Sequence, residues 1–118
     1  MPIKKEDFKY VEKVWGEEII LVNCDKYCAK LLVVDPKAEM SYHYHPKKTE
    51  TFYCLEGYST LRSDGKDYLM APFTRPKTIP AGTKHMVIGH DEPCVLLEVS
   101  THHDDSDSVR LTPSKAGD

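Results

Sequence analysis

No stretch of this 118-residue chain keeps the apolar period of an amphipathic helix for long. Short runs rich in Val, Ile, Leu, Tyr, Phe and Thr alternate instead with Pro, Gly, Asp and Asn, which is typical of strands separated by turns. The predicted strands are residues 17–22, 27–34, 39–45, 50–56, 58–62, 66–70, 77–79, 85–88 and 94–100. Many short strands at this spacing predict an all-β fold, which is a sandwich, a jelly roll or a barrel.

The length and composition of the chain fit one ordinary globular domain. With 40% hydrophobic and 30% charged residues, the chain is far from the compositions that stay disordered. We therefore expect a single domain over residues 1–118 with a core of its own. From His102 onward the residues become polar and acidic, and we expect a frayed, flexible tail from about residue 104.

The charge pattern and the short apolar runs exclude two classes of partner. The formal net charge is −3, with Lys and Arg scattered among Asp and Glu, so we expect no nucleic-acid partner. The longest aliphatic runs, 19–22 and 31–34, are far shorter than the roughly 20 residues of a membrane span. The first seven residues lack the apolar core of a signal peptide, and we expect a cytoplasmic location.

Four cysteines could in principle form two disulfides or a zinc site; they are Cys24, Cys28, Cys54 and Cys94. Nothing in the sequence indicates secretion, and no C-x-x-C pair is present. We therefore expect reduced and mostly buried thiols.

Two histidines, His43 and His45, lie two residues apart in a predicted strand. Successive strand residues alternate between faces, so both imidazoles leave the same face, about 6.6 Å apart along the chain. After a Pro-Lys-Lys break the next predicted strand begins at Glu50, whose carboxylate meets the histidine pair if its face looks into the barrel. Much later, the Pro-Ala-Gly bend at 80–82 delivers His85 to the start of another strand.

Together these side chains predict a site for one divalent transition metal ion, with His43, His45, Glu50 and His85 as its ligands. Imidazole nitrogens with one carboxylate suit Mn, Fe, Co, Ni or Zn. On an octahedral ion, four protein donors leave up to two neighbouring positions for substrate oxygens, which favours a catalytic role over a structural one. The adjacent pair His102 and His103 would point to opposite faces of a strand, so we assign both to the tail.

These motifs resemble those of the cupin family. Its first motif has the form H-x-H, three or four residues, E, six residues, G, and here it is formed by His43, His45, Glu50 and Gly57. Its second motif, P-x-G-x-x-H, matches residues 80–85. The resemblance implies a double-stranded β-helix, the jelly-roll barrel of cupins, and commonly a homodimer.

Two positions depart from the family pattern. Lys37 stands where cupins often have a glycine, and Gly89 where they often have an asparagine. Neither position binds metal, so the departures bear on the geometry of turns and not on the ligand set.

A narrower resemblance covers nearly the whole chain and is carried by residues 14–17, 29–31, 41–50, 79–82, 97–100 and 107–110. These segments look like the type II phosphomannose isomerases and their small relatives, such as lyxose isomerase. Phosphomannose isomerases commonly have glutamine at the position of His43 and a Tyr-Gly-Arg element near the end, and this chain has neither. The three-histidine set is nearer to the lyxose-type enzymes, so the sugar and the need for a phosphate both stay open.

The resemblance implies a metal-dependent sugar or sugar-phosphate isomerase, which needs a base to move a proton between adjacent carbons. Glu98 is the candidate base because a carboxylate is costly in an apolar strand unless it is used or paired. Lys30, also within an apolar strand, could hold a substrate oxygen or a phosphate, and Arg110 could bind an anionic substrate group. Alternatively, Lys30 and Glu98 pair with each other or lie on the solvent face of the sheet.

Two other functions stay open at this point. The same ligand set could activate oxygen in an iron-dependent dioxygenase. A short chain with few loops to cover a site could also be a non-catalytic module that binds a small metabolite.

Overall fold

The structure is a computed structural model that describes residues 8–117. Residues 1–7, on which the signal-peptide prediction rests, and residue 118 lie outside the described residues. Nowhere between residues 8 and 117 is there a helix long and apolar enough to cross a membrane. The described chain forms the strands β1 (Lys9–Lys13), β2 (Gly16–Asn23), β3 (Cys28–Val34), β4 (His43–Tyr44), β5 (Glu50–Glu56), β6 (Ser59–Ser63), β7 (Lys66–Met70), β8 (Lys77–Ile79), β9 (His85–Gly89), β10 (Cys94–Ser100) and β11 (Val109–Arg110).

The strands form two antiparallel sheets that share one core. One sheet has six strands in the order β1-β2-β3-β10-β5-β8, and the other has five in the order β11-β4-β9-β6-β7. Neighbours in space are often distant in sequence, as in a jelly roll. Buried side chains of both sheets meet in the core, among them Leu32, Phe52, Leu61, Met70 and Leu96. The predicted all-β jelly-roll barrel is confirmed.

The alternation of faces along β3 and β10 decides which side chains enter the barrel. The two strands pair in antiparallel register with Lys30 opposite Glu98, and every second residue of each strand is buried. Lys30 and Glu98 belong to this inward-facing set. Two ionisable groups therefore face the interior at the centre of the larger sheet.

Only part of the predicted strand 39–45 is a strand. β4 contains His43 and Tyr44 alone, and Glu39 makes isolated bridges. Between them the backbone is held by single hydrogen bonds to separate elements, such as the one from Met40 N to Val87 O (2.9 Å). β1 and β11 were not predicted, and β11 is only two residues long within a polar stretch.

The stretch from about residue 104, predicted as a frayed tail, is attached to the barrel. β11 pairs with β4, so that Arg110 lies opposite His43. Farther on, Lys115 and Glu39 exchange two backbone hydrogen bonds, with N–O distances of 2.8 and 2.9 Å. In the structure, residues 109–110 and 115 are therefore paired with the barrel through backbone contacts.

The two departures from the cupin pattern lie next to each other in space. Lys37 adopts a positive φ of 61°, the conformation that a glycine would favour. Its N–H donates to His90 O, and Gly89 N donates to Ala38 O (both 2.7 Å). A Cβ on Gly89 would lie 2.7 Å from a backbone oxygen of Asp35. Lys37 therefore adopts the backbone conformation that a glycine would favour, and position 89 has no room for a side chain.

All four cysteines are free, and three of them are buried, in agreement with the prediction. The sulfur atoms of Cys54 and Cys94 lie 3.7 Å apart in the core. Burial raises the pKa of the Cys94 thiol to about 12, so this thiol stays protonated.

Candidate metal centre and cavity

The four predicted ligands meet at one end of the barrel. His43 lies on β4 opposite His85 at the start of β9, and Glu50 opens β5. Ligand atoms of His43, His45, Glu50 and His85 all lie within 4.8 Å of one another. The side chains of Glu50 and His85 are almost fully buried. The cluster has the composition and spacing to hold one metal ion.

Each of the three imidazoles is oriented by a backbone carbonyl. The Nδ1 atom of each ring lies 2.7–2.9 Å from such an oxygen, which belongs to Ser41 for His43, to Asp107 for His45 and to Thr83 for His85. Because a carbonyl only accepts hydrogen bonds, Nδ1 must carry the proton. The lone pair of every Nε2 is then free to bind a metal, the arrangement found around histidine ligands in general.

Two buried atoms in the cluster lack a hydrogen-bond partner: Glu50 Oε1 and His85 Nε2. They lie 2.6 Å apart, but with the His85 proton on Nδ1 both atoms are acceptors. An unsatisfied buried polar atom costs about 1–3 kcal/mol. A divalent cation bound to both atoms would remove this cost, so the residues fit a metal ion.

The protonation states of the cluster also suit metal binding. Burial, and then the neighbouring His85, lower the pKa of His43 to about 4. Burial likewise lowers the pKa of His45. Burial alone would raise the pKa of Glu50, but the positive charge of the neighbouring Lys48 lowers it. At neutral pH these two imidazoles are neutral and the carboxylate is ionised, as ligands must be.

The cluster opens into a cavity of about 300 Å³. Its remaining wall is rich in ionisable side chains, including Glu18, Lys30, Lys48, Glu98, His103 and Arg110. Trp15, which packs in the core, also reaches this wall. The cavity thus brings the predicted metal ligands together with all three predicted catalytic and substrate-binding residues, at a size typical of small-molecule sites.

Glu98 and Lys30 each have a different partner. The Nζ atom of Lys30 lies 2.7 Å from Glu18 Oε1, whereas Glu98 Oε2 lies 3.2 Å from Lys48 Nζ. The alternative in which Lys30 and Glu98 pair with each other is therefore wrong, and so is their placement on a solvent face. Burial, and then the charge of Glu50, raise the pKa of Glu98 to about 7.

Lys48 is a cavity residue that the sequence interpretation missed. Only 3% of its side chain is exposed, and its Nζ lies 3.3 Å from Glu50 Oε2 as well as 3.2 Å from Glu98 Oε2. Burial lowers its pKa, but these two carboxylates outweigh burial and raise it. Lys48 lies in the Pro-Lys-Lys break before β5 and not in a strand, so strand alternation does not predict where its side chain points.

His103 and Asp107 were also missed, because both fall in the stretch predicted as a tail. The Nδ1 atom of His103 lies 3.0 Å from Lys48 Nζ, and its Nε2 lies 2.8 Å from Asp105 Oδ1. Asp107 contacts His45 through its carbonyl oxygen. Asp107 belongs to the segment 107–110 that resembles the sugar isomerases, but no local pattern shows what either residue contacts, since their partners lie more than fifty residues away.

The chain is thus an antiparallel jelly roll with three oriented imidazoles and one carboxylate at one end, a cluster that could hold a metal ion. Comparison with known families makes this more specific. Residues 30–100, more than half of the chain, match the family described as "Cupin domain". The chain belongs to the cupin family.

Known relatives of this chain include sugar isomerases. The D-lyxose/D-mannose isomerase of Thermosediminibacter oceani is 29% identical over 122 residues, and the match covers 80% of this chain and 67% of that enzyme. The quercetin 2,3-dioxygenase of Bacillus subtilis is 47% identical over 45 residues, but the match covers only 36% of this chain and 12% of that enzyme. A sugar phosphate isomerase of Silicibacter pomeroyi shares the fold, with a TM-score of 0.73, 18% identity and 96% coverage of each chain.

Proposed function

We propose that this chain is a metal-dependent isomerase that interconverts an aldose and a ketose, either free sugars or sugar phosphates. The observation that carries the proposal is the pair of buried acceptors, Glu50 Oε1 and His85 Nε2, in the same cavity as the Glu98 carboxylate. The likeness to a D-lyxose/D-mannose isomerase supports a sugar substrate. The chain spans about two thirds of that relative.

When a divalent Mn, Fe, Co, Ni or Zn ion is bound by the four ligands, it supplies the Lewis acidity that polarises a sugar carbonyl and its neighbouring hydroxyl. Glu98 is then the base that takes a proton from one carbon and returns it to the next. With a pKa of about 7, it can both accept and release a proton near neutral pH. The Lys48 ammonium holds the Glu98 carboxylate in place.

The remaining cavity charges bind the rest of the substrate. The pair of Lys30 and Glu18 offers a hydrogen-bond donor and an acceptor side by side, which suits sugar hydroxyls. Arg110 is exposed on β11 and lines the cavity beside His43, where a guanidinium can bind a phosphate. A substrate with an anionic group would use Arg110, and a neutral sugar would not need it.

We also propose a homodimer formed through the outer face of the six-stranded sheet. The outward-facing residues of its central strands are largely apolar; they include Leu31, Val33, Leu55, Leu97 and Val99. Val99 and Leu55 are about half exposed, at 48% and 47%. Contiguous apolar surface of this kind marks interaction sites. Sedimentation analysis would give the mass of a dimer, and Leu97→Glu would shift it to the monomer.

The proposed isomerase is tested by purifying the protein without added metal, measuring its metal content, and assaying aldoses, ketoses and their phosphates under nitrogen. We expect one divalent transition metal ion per chain and turnover without oxygen. D-Lyxose, D-mannose and mannose 6-phosphate belong in the panel. A protein that binds no metal, or that converts no member of the panel, would contradict the proposal.

A second candidate is an iron-dependent dioxygenase, which the short match to quercetin 2,3-dioxygenase favours. Oxygen consumption decides between the two functions. An oxygenase must stop under nitrogen, whereas an isomerase must not, because its substrate and product differ only in the position of hydrogen atoms.

A further inference from the structure

The segment Asp104–Arg110 contacts the metal centre at several points, none of which the sequence predicted. It lies beyond residues 30–100, which match the cupin family. We propose that Asp107 in this segment is a positioning residue that sets metal affinity by orienting His45 and the loop before Glu50. This inference rests on the metal site of the proposed function.

The first contact of Asp107 is with a ligand. Its carbonyl oxygen accepts a hydrogen bond from His45 Nδ1 at 2.7 Å, and Ser108 Oγ lies 3.1 Å from the same nitrogen. This bond keeps the His45 proton on Nδ1 and aims Nε2 toward Glu50, which lies 3.5 Å away. Partners of this kind fix both the tautomer and the ring orientation of a metal ligand.

The second contact is with the loop that follows His45. The two carboxylate oxygens of Asp107 accept hydrogen bonds from the backbone N–H groups of Lys47 (3.0 Å) and Lys48 (2.9 Å). This loop carries the buried Lys48 side chain and leads directly into Glu50. One residue therefore couples the orientation of one ligand to the placement of another.

Asp107 is itself held on both sides. Its N–H donates to Asp104 O at 2.9 Å, and on the other side β11 pairs with β4 so that Arg110 lies opposite His43. A shift of Asp107 would therefore be transmitted to two of the histidine ligands. No residue of the segment Asp104–Arg110 belongs to the hydrophobic core of the described chain.

The test measures Co²⁺ binding by the full-length chain after dialysis against a chelator, using the visible absorption of the bound ion and competition with a chromophoric chelator. Asp107→Ala keeps the backbone carbonyl that accepts from His45 Nδ1 but removes both carboxylate acceptors of the Lys47 and Lys48 N–H groups. Because these contacts place the loop between His45 and Glu50, we expect Co²⁺ binding to weaken roughly 10- to 100-fold and the spectrum of the saturated protein to change. Asp107→Asn keeps one acceptor oxygen and should lose less Co²⁺ affinity than Asp107→Ala. Asp104→Ala is the matched control, because the Asp104 side chain bonds only to Ser106 within the segment and should leave affinity within about twofold.

A loss of fold stability alone would not alter the spectrum at saturating metal, so the spectrum separates positioning from general destabilisation. If Asp107→Ala folds and matches Asp104→Ala in affinity and spectrum, the inference is wrong. If Asp107→Ala does not fold, Asp107→Asn decides, and its agreement with the parent would overturn the inference. If the parent chain binds no Co²⁺, both the inference and the proposed metal-dependent function are wrong. If the parent chain binds Co²⁺ but has no isomerase activity, only the proposed function is contradicted.

Discussion

The two halves of the cavity wall differ in whether their buried polar atoms have partners. In the half formed by the metal ligands, Glu50 Oε1 and His85 Nε2 have no hydrogen-bond partner. In the other half every buried charge has one, as in the pair of Lys30 with Glu18 at 2.7 Å. The first half is incomplete without a cation and the second is complete in itself. A single substitution should therefore affect metal binding in the first half and the stability of the fold in the second.

The largest effect is expected from His45→Ala. It removes one of four ligands, so bound metal and turnover should both fall to background. The apo protein should still fold, because His45 is not part of the hydrophobic core, although it loses the hydrogen bond from His45 Nδ1 to Asp107 O. His102→Ala is the control, since this exposed histidine lies outside the cluster. Full metal occupancy in His45→Ala would contradict the ligand assignment.

Glu98→Gln tests the boundary between the two halves. The amide has nearly the shape of the carboxylate but cannot act as a base, so kcat should fall roughly 10²- to 10⁴-fold. Metal content should stay at the parent level, because Glu98 is not among the four ligands. Glu56→Gln, an exposed glutamate of β5, is the matched control. Normal turnover by Glu98→Gln would assign the base to another residue.

The halves also differ in how far the sequence predicted them. His43 and His45 follow from strand alternation, and Glu50 and His85 from their spacing in two local motifs. Each of these signals extends over a few residues, and His45 reaches the same cluster as His43 although it lies just outside β4. The predicted ligands therefore come together in the structure.

The charged half depends on pairings that no local pattern contains. Lys48 pairs with Glu98, which lies fifty residues farther along the chain, and His103 completes the contact from a stretch that is polar enough to suggest a tail. A charged residue in a sequence predicts a solvent-exposed side chain unless a buried partner is known. Lys30 and Glu98 were recognised only because their neighbours are apolar, and their true partners could not be inferred.

Lys30→Met should affect the fold more than the metal. Glu18 then stays buried, and Lys13, at 3.7 Å, is its remaining salt-bridge partner among residues 8–117, so we expect the free energy of unfolding to fall by roughly 3 kcal/mol. The double variant Lys30→Met/Glu18→Gln removes both charges and should recover part of this loss. Metal content should not change in either protein. Lys66→Met, at an exposed position of β7, serves as the control in denaturant titrations. A single variant as stable as Lys66→Met would show that the pair contributes nothing.

The smallest expected effect is a shift of pH dependence in Lys48→Met, measured against Lys47→Met, its exposed neighbour. Burial and Glu50 raise the pKa of Glu98 to about 7, while the Lys48 charge opposes them. The base must be ionised, so kcat/KM should rise with pH through about 7 in the parent and only at higher pH in Lys48→Met.

The free energy of unfolding depends on pH in the opposite direction to kcat/KM. Because the folded state raises the pKa of Glu98 from 4.5 to about 7, its protonated form stabilises the fold below pH 4.5, and this contribution is lost as the pH rises through about 7. Removing the Lys48 charge should extend the loss to higher pH, so thermal unfolding of Lys48→Met should differ most from that of Lys47→Met above neutral pH. Equal profiles for the two variants would mean that the Lys48 ammonium does not act on Glu98, so that burial and Glu50 alone set the pKa of this carboxyl group.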